Sequence, residues 1–294
     1  MVGRLYARNM RRAHGWVAGL LAGLILSTAS MASPPHRIVS TFLCTDEYVF
    51  RLVPRAHIAA LSFEATDRFP VVSTIADEAA HMHVLRPSAE TVLELAPDLV
   101  VMYAGTMPAL HAALARANVK VLDVPWAGSL ADIRRVTTLL GEKLGAPDRA
   151  RKLLAAMDAQ IAAARARAPS PPVRTLIYEP NGYSATGGMT GELMTLSGLS
   201  DTGAALGHTR LDTLPIEAVI AHPPELLILS GDPEVMNSRA DLVQHHPALA
   251  TLKDRTMIAW AGLTPLLCPG PWSANAAAMF SELANRARAR AKKH

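Results

Sequence analysis

The chain has 294 residues, of which 50% are hydrophobic, 18% charged and 5% aromatic, with a formal net charge of +4. That length and apolar content suit one large globular domain or two modest ones, and exclude a disordered or fibrous chain. The positive charge sits at the ends: of 29 Lys+Arg, four lie in residues 1–32 and five beyond residue 285, leaving 20 against 25 acids, a net −5 that speaks against a nucleic-acid-binding face.

Arg4, Arg8, Arg11 and Arg12 precede an apolar stretch from Trp16 to Leu26 and then Ser30-Met31-Ala32. Basic, apolar and small-residue regions in that order predict a signal peptide over 1–32, cleaved after Ala32, and an exported, soluble, periplasmic protein. The apolar run is shorter than the ~20 residues of a spanning helix, which sets an uncleaved anchor as the alternative. The Arg11-Arg12 pair leaves the Sec and twin-arginine routes both open.

In the first half, strand and helix signals alternate. Strands are expected over 37–41, 57–62, 99–103 and 119–125, and helices over 45–53, 88–96 and 107–117. Residues 147–168 contain nothing that opposes a helix after Pro147, and Pro169-Ser170-Pro171-Pro172 stops it. The alternation then restarts, with strands over 173–178, 225–230 and 256–261 and helices over 191–197, 216–221 and 274–288. Such alternation predicts largely parallel sheets covered on both faces.

One unit occurs in both halves. Residues 89–102 and 216–229 align at an offset of 127, matching Glu90 with Glu217, Val92 with Val219, Pro97 with Pro224 and Asp98 with Glu225. Each copy reads as a short amphipathic helix followed by a buried strand. The resulting expectation is an α/β protein of two parallel-sheet lobes, 33–146 and 169–294 with its basic tail, joined by the single long helix 147–168. Two cysteines remain, Cys44 and Cys268, for which an exported protein makes a disulfide the default and two buried thiols the alternative.

Five stretches in order carry a family resemblance: Arg37–Glu47, Ala89–Val100, Tyr178-Glu179-Pro180-Asn181-Gly182-Tyr183, Leu214–Val219 and Leu266-Leu267-Cys268-Pro269-Gly270-Pro271-Trp272. The chain resembles periplasmic substrate-binding proteins of ABC importers for iron–siderophores, haem and cobalamin over nearly all of its length after residue 32. Where related chains carry an Asn-His-Gly-type turn before the Glu90 helix, this one has His81–Pro87. The resemblance implies two lobes joined by one helix, ligand in the cleft between them, and one glutamate per lobe (Glu90, Glu217) engaging the inner-membrane permease. Each glutamate is also suited to its helix dipole.

Open α/β sheets bind ligands at the carboxyl ends of their strands. That rule selects Thr41, Phe42, Tyr103 and Trp126 from the first lobe and Asn181, Tyr183, Trp260 and Trp272 from the second. Flat rings suit a large planar or macrocyclic ligand, though each aromatic also suits a core. Arg210 would supply a cation for an anionic chelate, with Arg68 and Arg86 as weaker choices. His81, His83 and His208 are candidate metal or haem-iron ligands, against the default of surface histidines, because no i, i+4 metal spacing occurs.

The expectation is therefore a monomeric receptor for an iron–siderophore-type chelate, with cobalamin or haem as alternatives and a divalent metal as a further one. It has no resident cofactor, no catalytic residues and no nucleic-acid partner. No Gly-x-Ser-x-Gly elbow, P-loop, His-Glu-x-x-His or Gly-x-Gly-x-x-Gly is present, and a periplasmic hydrolase with dispersed catalytic residues stands as the enzyme alternative.

Overall fold

A computed structural model describes residues 34–68, 72–208, 212–232 and 238–292. The signal peptide expected over 1–32 and Arg210 lie outside the described residues. The chain opens with β1 (Ile38–Ser40), α1 (Leu43–Leu52), β2 (Ile58–Ser62), β3 (Val84–Leu85), α2 (Ala89–Glu94), β4 (Leu99–Tyr103), α3 (Pro108–Arg116) and β5 (Val121–Val124). These five strands form one parallel sheet in the order β3-β2-β1-β4-β5. The order reverses direction between β1 and β4, the position at which such sheets hold ligands.

Two helices follow, α4 (Leu130–Lys143) and α5 (Pro147–Ala166), and α5 leads out of the first sheet towards the second. Proline at the first position and Asp148 in the first turn suit the start of α5. The second lobe contains β6 (Val173–Tyr178), β7 (Tyr183–Ser184), α6 (Gly188–Leu196), β8 (Leu199–Asp201), α7 (Thr202–Ala205), β9 (Asp212–Thr213) and α8 (Ile216–Ala221). It ends with β10 (Leu226–Ser230), α9 (Pro247–Ala250), β11 (Met257–Ala261), α10 (Thr264–Leu267) and α11 (Asn275–Ala291). Its sheet runs β11-β10-β6-β7-β9, with β8 also paired to β6; β7 pairs antiparallel with both β6 and β9, and the other pairs are parallel. Two α/β lobes joined by a long helix are thus what the alternation in the sequence specifies.

Alternate residues of the central strands face opposite layers, as the two-residue period of a strand requires. Leu99 and Val101 of β4 join Ile228 of β10 in a core that runs through both lobes and includes helices α1, α4, α5 and α11. Val100 and Met102 instead face α2 and α3, and Leu227 and Leu229 face α8 and α9. Burial on both faces is why these strands read as unbroken apolar runs. Helix α4 was not expected from the pattern; its signal is Ser129, whose Oγ accepts from Asp132 N at 3.0 Å, ahead of buried Ile133, Val136 and Leu140. Among the described residues no helix is long and apolar enough to cross a membrane.

Candidate functional site: a cleft between the lobes

The carboxyl ends of β1, β4 and β5 place three rings side by side. Phe42 stacks on Tyr103 with ring centres 5.4 Å apart, and Trp126 stands edge-on to Tyr103 at 5.6 Å. Trp126 is 56% exposed, so its far side is open to a ligand. Burial holds the Tyr103 hydroxyl protonated well above its ordinary range. The three strands are neighbours in the sheet, which is why Phe42 meets rings far along the sequence here.

Trp126 and Gly128 form one wall of a cavity of about 690 Å³, and Gly187, Met189, Leu266 and Pro269 of the second lobe form the other. None of the cavity's described lining residues carries a charge. Such a lining offers apolar area and backbone polar groups to a ligand, the usual make-up of a small-molecule site.

The other sequence-selected residues are distributed differently. Thr41 is buried and turned into the sheet, its N–H donating to Val101 O at 3.2 Å. Tyr183 is exposed on β7, and Asn181 is exposed just before it with φ 60°. Trp260 lies beside His245, ring centres 5.2 Å apart, and packs on the outer core of the second sheet. Trp272 belongs to the junction of the lobes: it is 6% exposed, its Nε1 donates to Cys268 O at 2.8 Å, and Tyr48 and the Arg51 guanidinium pack on it.

Arg68 pairs with Asp77, and Arg86 lies over the Phe63 ring, so neither faces the cavity lining. His81 is exposed, His83 donates from Nδ1 to Ala59 O at 3.2 Å, and His208 lies 3.6 Å from Asp212. Among the described residues no group of three His, Cys, Asp or Glu side chains converges as a metal site. Glu90 and Glu217 are both exposed, each the second residue of its helix.

Cys44 and Cys268 are bonded, with Cα atoms 4.9 Å apart. The bond joins α1 of the first lobe to the chain after α10 in the second, beside the cavity. Tyr48 OH donates to Pro269 O at 3.3 Å alongside it.

Helix α1 of the first lobe carries two buried acids that periodicity alone did not single out. Asp46 accepts from Ser62 N at 3.0 Å and Ser62 Oγ at 2.5 Å, and burial pushes its carboxyl up to about 8 although the Ser40 and Ser62 hydrogen bonds pull it down. Glu47 accepts from Thr74 N at 2.7 Å and pairs with Arg51. In the second lobe Glu179, at the end of β6, is half-buried and its carboxyl is raised by burial.

The same fold occurs in solved structures. The periplasmic heme-binding protein RhuT from Roseiflexus sp. RS-1, in its apo form, matches with a TM-score of 0.67 at 23% identity, over 86% of this chain and 98% of that one. The periplasmic heme-binding protein HutB of Vibrio cholerae gives 0.69 at 18% identity, over 84% and 98%. The periplasmic vitamin B12-binding protein BtuF of Vibrio cholerae gives 0.62 at 18%, over 87% and 98%. At these identities the likeness is one of fold. No curated protein sequence matches the chain. The model of the periplasmic binding protein family matches residues 38–253, most of the chain, and to that family the protein belongs.

Proposed function

We propose that the protein is a periplasmic receptor that captures an iron–siderophore-type chelate in the inter-lobe cleft and delivers it to an ABC permease. The carrying observation is the cavity itself: about 690 Å³ between two lobes, uncharged along its described lining, with Trp126 of the Phe42–Tyr103–Trp126 ring cluster in its wall. A neutral chelate with an apolar exterior suits that surface. Rings also suit a planar tetrapyrrole, and the haem- and B12-binding proteins of like fold support this second reading. Binding alone, without turnover, accords with a family of transport receptors.

Titrating the exported protein with a ferric hydroxamate chelate, haemin and cyanocobalamin, followed by tryptophan fluorescence and absorbance, separates the readings. Saturable quenching by the hydroxamate alone supports the first, and by haemin or cyanocobalamin the second. Turnover of a chromogenic ester or phosphate in place of binding would remove both. Replacing Trp126 by Ala is expected to weaken ligand binding by about 1–2 kcal/mol, roughly five- to thirtyfold.

Delivery is assigned to Glu90 and Glu217. Exposed acids of this kind orient an encounter with basic residues more than they add affinity. The Glu90→Ala/Glu217→Ala variant is expected to bind ligand as the native protein does and to support no uptake. Normal uptake by that variant would exclude the docking role.

A further inference from the structure

The first N–H groups of a helix have no partner within it. Two helices facing the cleft, one from each lobe, solve this with each other. Leu130 N, at the start of α4, donates to Glu192 Oε2 of α6 at 2.9 Å. Met189 N, at the start of α6, donates to Gly128 O just ahead of α4 at 2.8 Å. The approach is close because residue 188 is glycine: its φ is +52°, and a Cβ there would lie 3.0 Å from Gly128 O. The positive ends of the two helix dipoles would otherwise oppose one another, and the Glu192 carboxylate lies at their meeting point.

This seam flanks the cavity together with the Cys44–Cys268 bond and the Tyr48–Pro269 contact. A reversible contact and a covalent one thus both bridge the lobes around the cleft.

We infer that the reciprocal capping of α4 and α6 is a latch, and the disulfide its pin, which together hold the cleft at one width before ligand arrives. Glu192 is then a positioning residue: it touches no ligand but fixes the Gly128 and Met189 walls. The cleft selects ligands by the size of a preformed slot, and binding does not drive closure. The inference rests on the inter-lobe cleft being the ligand site, but its main test needs no ligand.

Leu130 and Met189 amides have their partners only across the cleft, so their hydrogen exchange in the ligand-free exported protein reports on the latch. Both are expected to be protected. In Glu192→Ala both should exchange about tenfold faster while amides of β4 and β10 stay unchanged, and Glu192→Gln, which keeps the acceptor oxygen, should restore protection. Gly188→Ala should accelerate both through its Cβ. Unprotected Leu130 and Met189 in the native protein would overturn the latch. So would acceleration of Leu130 alone in Glu192→Ala, because the two bonds would then be independent.

The Cys44→Ser/Cys268→Ser variant should accelerate both amides further, and it reads the pin separately. Small-angle scattering with haemin and cyanocobalamin as probes should show no contraction of the native protein on saturation. A contraction would overturn the preformed slot. Failure of every probe to bind, with protected amides, would count against the ligand reading and leave the latch standing.

Discussion

Helix α2 begins on a side chain and helix α8 does not. Ser88 Oγ accepts from Thr91 N at 3.1 Å while Thr91 Oγ1 accepts from Ser88 N at 3.1 Å, a reciprocal cap. At the matching place in the second lobe stands Pro215, with no side-chain hydrogen bond. Elsewhere the two copies agree: Val92 and Val219 are 0% and 1% exposed, and β4 and β10 occupy equivalent positions. The packed face of the unit is common to both lobes, whereas its capping chemistry is free to differ. The acid at the second helical position is common as well, although α2 already has donors satisfied by Ser88. A dipole contribution of about 0.3–1 kcal/mol is worth least to the helix that is already capped. The shared Glu90 and Glu217 thus fit a role outside the helices.

The lobes differ in the acids near their sheets, and the largest expected effect follows from one of them. Asp46 on α1 of the first lobe is fully buried, with its carboxyl pushed up to about 8, whereas Glu179 in the second lobe is only half-buried and raised. An unfolded Asp releases its proton near pH 4. Between roughly pH 4 and pH 8 the folded protein therefore holds a proton that the unfolded chain has lost, and stability falls as pH rises through that window. Asp46→Asn mimics the protonated form and should remove this fall. Thermal melts from pH 4 to 9 should show native stability declining relative to the variant, with Glu179→Gln giving a smaller difference. Parallel profiles for native and Asp46→Asn proteins would show that Asp46 ionises normally in the fold.

Next in size is the common core position. Val92→Ala and Val219→Ala each remove two buried methyl groups, and each is expected to cost about 2 kcal/mol in denaturant unfolding. Near-equal losses would show that the two copies pack with equal weight. A loss confined to one lobe would break the equivalence.

The fold was legible because its carriers are local. Apolar runs 99–102 and 226–229, Pro147 ahead of a breaker-free stretch, and the matching Glu–Val spacing each announce an element in a single window of sequence. The pairing of Cys44 with Cys268 followed from compartment and scarcity. The candidate site was legible in part. Phe42, Tyr103 and Trp126 were reached by the rule that ligands meet strand ends, but the same rule selected Thr41, which turns into the sheet, and Trp272, which packs at the lobe junction. Side-chain direction at a strand's last residue depends on register and on the next element, neither of which is periodic. The Gly187–Met189 wall and Glu192 were missed because their roles depend on the meeting of two helix ends distant in sequence. The one local sign was the Gly187-Gly188 pair, both residues in the left-handed region.

The smallest expected effect is at the caps themselves, and it tests the comparison from both sides. Ser88→Ala leaves Thr91 N without its acceptor and should cost about 1 kcal/mol, the usual worth of an N-cap. For a domain of this size that lowers the melting temperature by about 2–4 °C. The converse change, Pro215→Ser, offers α8 a cap in a backbone already extended at φ −58°, ψ 143°. Its gain of about 1 kcal/mol is offset by the loss of proline's constraint on the unfolded chain, about 0.4–1 kcal/mol. A net change near zero is therefore expected, even though the helix end itself becomes better satisfied. Amide exchange at Glu217 and Ala218 separates the two contributions: slower exchange at unchanged melting temperature would show the cap forming against the entropic loss. A clear drop in stability would mean that Pro215 contributes more than its constraint, and that the second copy's start is fixed by packing where the first is fixed by hydrogen bonds.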